Sequence, residues 1–142
     1  MHRLRDLSQK PYSESGDARS LPQLRIEVRA CRACDLWQTA TQPVFGEGPE
    51  GACRPWLDAE ITAVRPSIVV CLGATAAQAL LGSQFKVTAR RGVFVPSPLA
   101  PHVLATVHPS SILRAPDEAS RRAEMKRFTS DLRTAAGALS SE

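Results

Sequence analysis

Two groups of residues in this 142-residue chain have the types and spacing to do chemistry. The first is His108, Pro109, Ser110, Ser111, Leu113 and Arg114, which follow the apolar run Val103–Val107. That run reads as a strand buried on both faces of a parallel sheet. Proline lacks an N–H for a sheet ladder and keeps the preceding residue out of the helical region, so the strand must stop at His108. An imidazole, two hydroxyls and a loop with a leucine and an arginine then sit where open α/β sheets bind ligands. The alternative is a histidine that merely ends a strand in solvent. The second group is Cys31, Cys34 and Cys53. Cys31 and Cys34 lie one helical turn apart, a spacing suited to one metal or cluster. Cys53 just precedes a helix start, where unsatisfied N–H groups favour a thiolate. Cys71, inside an apolar strand, reads as a small core hydrophobe. No second close cysteine pair completes a zinc ribbon, and a redox pair should follow a strand rather than end a helix.

The positioning elements follow from periodicity and punctuation. Residues 1–19 are polar and read as a leader preceding a domain over 20–142. Ser20 and Gln23 form a capping-box pattern for a helix to about Cys31, with Leu21, Leu24 and Val28 on one face. Thr39–Gly51 reads as a loop. Pro55 opens a second helix with Leu57, Ile61 and Val64 inward, ended by Arg65-Pro66. Ser67–Leu72 is a buried strand, Gly73 a turn, and Thr75–Leu81 a helix closed by Gly82. Lys86–Thr88 and Gly92–Val95 read as short edge strands. Pro116 opens a last helix, with Asp117 and Glu118 in its first turn and Met125, Phe128, Leu132, Ala136 and Leu139 as its buried stripe. This makes an α/β fold with only two central strands, where sheets usually hold about four to six.

Composition narrows the partners. No apolar run is long enough to span a membrane, and the first ten residues are too polar for a secretory signal, so a cytoplasmic location is the default. Residues 86–133 carry nine Lys/Arg against four Asp/Glu, whereas residues 35–85 carry two against five. A basic C-terminal half suits a polyanion such as nucleic acid, unless Arg121 and Arg122 only pair with Asp117, Glu118 or Glu124 on a solvated helix face. In a reducing compartment, four cysteines favour a metal or buried thiols over disulfides.

Taken together, Cys31-Arg-Ala-Cys34, Thr41 through Pro49, Cys53-Arg-Pro-Trp-Leu57, Arg65-Pro66, the strand to Leu72 with Gly73, and Val107 through Arg114 resemble the iron–sulfur (family 4) uracil-DNA glycosylases. The likeness is greatest to their UdgX-type branch, which binds uracil-DNA tightly, and it covers roughly residues 24–136. It implies a three-layer α/β/α fold, a 4Fe–4S cluster with Cys31, Cys34 and Cys53 matching three ligands, and single- or double-stranded uracil-containing DNA as partner. It casts His108 as the catalytic group that steadies charge on the uracil ring. By the same resemblance Pro109, Ser110 and Ser111 contact DNA, with the hydroxyls gripping phosphate, while Leu113 and Arg114 probe the minor groove as the base flips out.

One departure matters. The family's first strands carry a Gly-Glu-x-Pro-Gly motif, a uracil-reading asparagine and the remaining cluster ligand. Here Gly51-Ala52 runs straight into Cys53-Arg54, and Gly46-Glu-Gly-Pro49 stands at the position of an upstream element. The expectation is an incomplete fold with its first strands missing, a labile cluster and a sheet edge open to self-association. Glycosidic bond hydrolysis, the family's base-excision reaction, should be weak or absent. The alternative is a non-catalytic nucleic-acid-binding or iron–sulfur-binding module.

Overall fold

The computed structural model describes residues 19–39 and 53–140. The leader apart from Arg19, most of the Thr39–Gly51 loop and the Thr41–Pro49 motif lie outside them. The chain divides into two compact units, Met1–Val64 and Arg65–Glu142.

In the first unit, α1 spans Leu21–Val28 and α2 spans Arg54–Val64, with a turn of 3₁₀ helix at Asp35–Gln38 between them. The capping box is present: Gln23 Oε1 accepts from the Ser20 backbone N at 2.8 Å and from its hydroxyl at 3.0 Å. The helix ends sooner than Cys31, at Val28, and Cys31 N closes a final turn on the Val28 carbonyl at 3.0 Å. Leu24 and Val28 are buried, as their spacing requires. On α2 the buried residue is Ala59; Leu57 and Ile61 are half-buried and Val64 is exposed, so the inward face is turned from the expected one.

In the second unit the order is β1 (Ile68–Leu72), α3 (Ala74–Leu81), α4 (Val87–Arg90), β2 (His102–Thr106), α5 (Pro109–Leu113) and α6 (Glu118–Leu139). The strands are parallel, with Ile68 opposite His102 and Leu72 opposite Thr106. Successive strand residues face opposite ways, and the two faces are covered differently. Cys71, Val103 and Ala105 pack with Ala77 of α3, Val87 of α4 and Phe85. Thr106, on the other face, meets α6 through Asp131. The result is a three-layer α/β/α arrangement over a small parallel sheet.

Three expectations fail here for physical reasons. Lys86–Thr88 is not a strand: Ala89 N and Arg90 N both bond the Lys86 carbonyl, at 3.1 and 3.2 Å, and wind the turn that becomes α4. Gly92–Val95 is not a strand: its pairing with β2 is a single antiparallel bridge between Phe94 and Leu104, flanked by the bonds from Gly92 N to Ala105 O and Val95 N to Val103 O. The residues after His108 form α5 instead of a loop, because Pro109 supplies a first-turn φ without needing an N–H partner. The stripe of α6 is also displaced. Ala135 is buried and Phe128 half-buried, but Met125, Leu132, Ala136 and Leu139 are exposed while Glu124 and Asp131 turn inward. The helix turns Asp131 inward to Arg91, with Glu124 reaching the same guanidinium from a partly exposed position.

Candidate site at the carboxyl ends of the strands

β1 and β2 end side by side, and both ends are tied together. Gly73 N donates to the Thr106 carbonyl at 2.8 Å. Gly73 has φ +91°, and a Cβ there would lie 3.0 Å from the Cβ of His108. Only glycine combines that backbone with so close an approach.

His108 then caps α5. Its Nδ1 accepts the Ser110 N–H at 3.1 Å and stands 2.8 Å from the Ser110 hydroxyl. An accepting Nδ1 leaves the proton of the neutral ring on Nε2, and His108 is exposed. The His108 carbonyl accepts from the backbone N of Ser111 at 2.9 Å and from its hydroxyl at 2.7 Å. Arg114 Nη2 reaches Ser110 Oγ at 3.3 Å. Within α5, Ile112 is buried and anchors the turn, whereas Leu113 is 71% exposed and points away. His108, Ser110, Ser111 and Arg114 are thus gathered in one hydrogen-bonded turn, with Pro109 setting its backbone and Leu113 projecting from it.

The accepting Nδ1 leaves the Nε2–H of the neutral ring as a donor on an exposed residue. Both serine hydroxyls already have partners within the turn, so a phosphate would have to draw them away. The wider basic surface divides. Arg121 pairs with Glu118 at 3.1 Å, Arg122 approaches the same carboxylate at 3.9 Å, and Arg127 pairs with Glu124 at 2.8 Å, the solvated-face arrangement at helical spacing.

A sequence model of the uracil DNA glycosylase superfamily matches residues 7–133. The chain belongs to that superfamily. No individual curated protein matches it. In open α/β folds generally, ligands lie beyond the carboxyl ends of the strands, the end of this superfamily chain's sheet from which the His108 turn leaves.

The cysteines of this superfamily member are arranged more loosely. None is in a disulfide; Cys31, Cys34 and Cys53 are half-buried and Cys71 is buried. Cys53 precedes α2, and its carbonyl accepts from Trp56 N at 3.1 Å and Leu57 N at 3.2 Å. The Trp56 indole N–H donates to Cys31 Sγ at 3.2 Å, so one residue touches both cysteine positions. An N–H bond to sulfur is the kind of support that tunes cluster thiolates. As a donor set the thiols suit iron–sulfur chemistry. As an arrangement they fall short, since no three His, Cys, Asp or Glu side chains among the described residues are grouped to hold an ion. Burial pushes the Cys71 thiol up, in keeping with an inert core residue.

The sequence reading missed Arg91, Thr106, Glu124 and Asp131. Burial alone would depress the Arg91 guanidinium, but hydrogen bonds and charge from Glu124 and Asp131 outweigh it and hold Arg91 above its ordinary value. The hydrogen bond from Arg91, helped by Arg127, lowers Glu124. The available signal was two carboxylates seven residues apart, in phase with Phe128 and Ala135 on what had to be the packed face. Among the described residues, no helix is long and apolar enough to cross a membrane.

Proposed function

We propose that this chain recognises uracil in DNA with the His108 turn, and that its hydrolysis of the glycosidic bond is impaired. The observation that carries the reading is the capped imidazole. With Nδ1 engaged by Ser110, the neutral ring presents Nε2–H to solvent at the carboxyl end of β2. Such a donor stabilises negative charge that develops on a departing uracil. Leu113, exposed on the same turn, has the size and position of a wedge that fills the space of an extruded base. Arg114 and the backbone around Pro109, Ser110 and Ser111 face the DNA strand, and binding through them is salt-sensitive.

The impairment rests on the sheet. A base-flipping enzyme must also hold the uracil edge and place a water, and positioning contributes on the order of 7–11 kcal/mol to such reactions. The described sheet has two strands, and His108 follows the end of one of them by two residues. The resemblance of the cysteine and His108 motifs to the iron–sulfur family 4 and UdgX-type branch supports reading the segment that bears the first catalytic motif as absent between Ala52 and Cys53. Residues 20–142 are then a truncated glycosylase domain after a leader. Cys31, Cys34 and Cys53 are the ligands it offers to a 4Fe–4S cluster, one short of the usual protein set. The same small sheet favours the alternative of a non-catalytic DNA- or cluster-binding module that self-associates or borrows strands through an open edge.

One experiment separates these readings. The full chain and its His108→Ala variant are compared for abasic-site formation on uracil-containing single-stranded DNA and for binding to uracil and thymine versions of one oligonucleotide. The expected result is no excision from either protein, with a uracil preference in binding that His108→Ala removes. Robust excision abolished by His108→Ala would overturn the impairment. Equal binding to both oligonucleotides by the unmodified chain would leave the non-catalytic module.

A further inference from the structure

Directly beneath the His108 turn lies a set of enclosed charges that the recognition reading does not use. Thr106, the last residue of β2 and two before His108, is 0% exposed. Its hydroxyl donates to Asp131 Oδ2 on α6 at 2.6 Å. The same oxygen accepts from Arg91 Nε at 2.9 Å, and Arg91 Nη1 donates to Glu124 at 2.8 Å. The Arg91 and Asp131 side chains are 10% and 13% exposed. Gly92, at φ +69°, leaves the space that the carboxylate fills, because a Cβ there would collide with Asp131.

Such a network is a poor way to gain stability. Enclosing charges costs desolvation that their attraction roughly repays, and apolar replacements of similar volume are often neutral. α6 even exposes Met125, Leu132 and Leu139 while turning Glu124 and Asp131 inward. A geometric role explains that choice better than an energetic one. The network meets the strand at Thr106. The Thr106 carbonyl in turn accepts from Gly73, the residue that touches His108. Thr106 is therefore held by its side chain from α6 and by its carbonyl from Gly73, the residue after β1, immediately before the chain leaves the sheet.

We infer that Thr106 and Asp131 are positioning residues for His108, setting the direction in which the chain exits β2 and hence where Nε2 points. The inference rests on His108 as the uracil-facing group. Neither Thr106 nor Asp131 touches the base; both act through the backbone of the turn. Rigid support of this kind is what a binding side chain on a short turn requires.

The test uses the full chain labelled with ¹⁵N-histidine, the His108 signals being those that vanish in His108→Ala. The unmodified chain should show an accepting Nδ1 and a protonated Nε2. Thr106→Val removes the hydroxyl and keeps the shape, and should average the two nitrogens and reduce the uracil-over-thymine binding ratio about tenfold, equivalent to about 1.4 kcal/mol. Thr106→Ser should restore both. Unchanged His108 signals in a folded Thr106→Val protein would overturn the inference, as would a serine variant that fails to restore them. If the valine variant does not fold, Thr106→Ala carries the same comparison. If His108→Ala keeps the uracil preference, the recognition reading fails, while the histidine spectra still decide whether Thr106 positions the ring.

Discussion

The His108 turn and the cysteine-bearing segment both lie where the chain leaves a regular element, yet they are secured to different degrees. Around His108 a glycine contact, a capped imidazole and a buried carboxylate meet within a few residues. Around Cys31 and Cys53 the contacts include the first turn of α2, the turn that Cys31 N closes on the Val28 carbonyl, and one indole N–H to the Cys31 sulfur. Thiols that await a metal need no exact direction until ligands close around it. An imidazole that must face a base needs its direction beforehand, since each degree of freedom left open weakens binding. On the proposed reading, the chain has kept the rigid part of a uracil site and lost part of its cluster housing.

The largest effect should come from removing the centre of that rigid part. Arg91→Ala leaves Asp131 without its cation, while Glu124 keeps Arg127; breaking one partner of an enclosed ion pair costs on the order of 3–5 kcal/mol, an upper figure for a pair that is 10% and 13% exposed. Urea unfolding should show a loss approaching that size, well beyond the effect of Arg122→Ala on the solvated face. Equal, small losses in both would mean that water already reaches the network, and the contrast between the regions would weaken.

A middle-sized effect separates backbone strain from contact. Gly73 and Gly82 both have positive φ, but a Cβ on Gly73 meets His108 at 3.0 Å whereas one on Gly82 meets nothing within 4 Å. Each alanine variant bears a strain penalty of about 1–3 kcal/mol. Gly73→Ala should cost more than Gly82→Ala by equilibrium unfolding, and should also move the His108 signals. Identical costs would show that the turn yields easily and that His108 is less firmly set than its contacts imply.

What the sequence could and could not convey follows the same division. β1, α3 and β2 were legible because apolar runs bounded by Pro66, Gly73, Gly82 and Pro109 leave few alternatives, and Ser20 with Gln23 marked the start of α1. His108 could be placed at a strand end for the same reason. α5 was not legible, since a five-residue helix is too short to show a period. The face of α6 was misread because charged residues at core positions look like errors of phase until their partner is known. That partner, Arg91, is 33 residues from Glu124 and 40 from Asp131, and no local pattern joins residues so far apart.

The smallest effect on the fold, and the sharpest on the comparison, concerns the thiols. Cys53→Ser exchanges one half-buried side chain for another of similar size, and changes of that kind outside a packed core usually stay within about 0.5 kcal/mol. Stability should therefore hardly move. Iron content is a separate matter, because a cluster normally takes four protein ligands and on the proposed reading this chain offers three. Anaerobic isolation followed by iron and sulfide analysis should give substoichiometric values that fall on exposure to air, and Cys53→Ser should abolish what remains. The thiols of Cys31 and Cys34 should then react with an alkylating reagent ahead of Cys71, whose buried thiol is held in its protonated form. Stoichiometric, air-stable iron that survives Cys53→Ser would sink the ligand assignment. It would also reverse the comparison, making the cysteine segment the firmly held region and showing that a further ligand completes it.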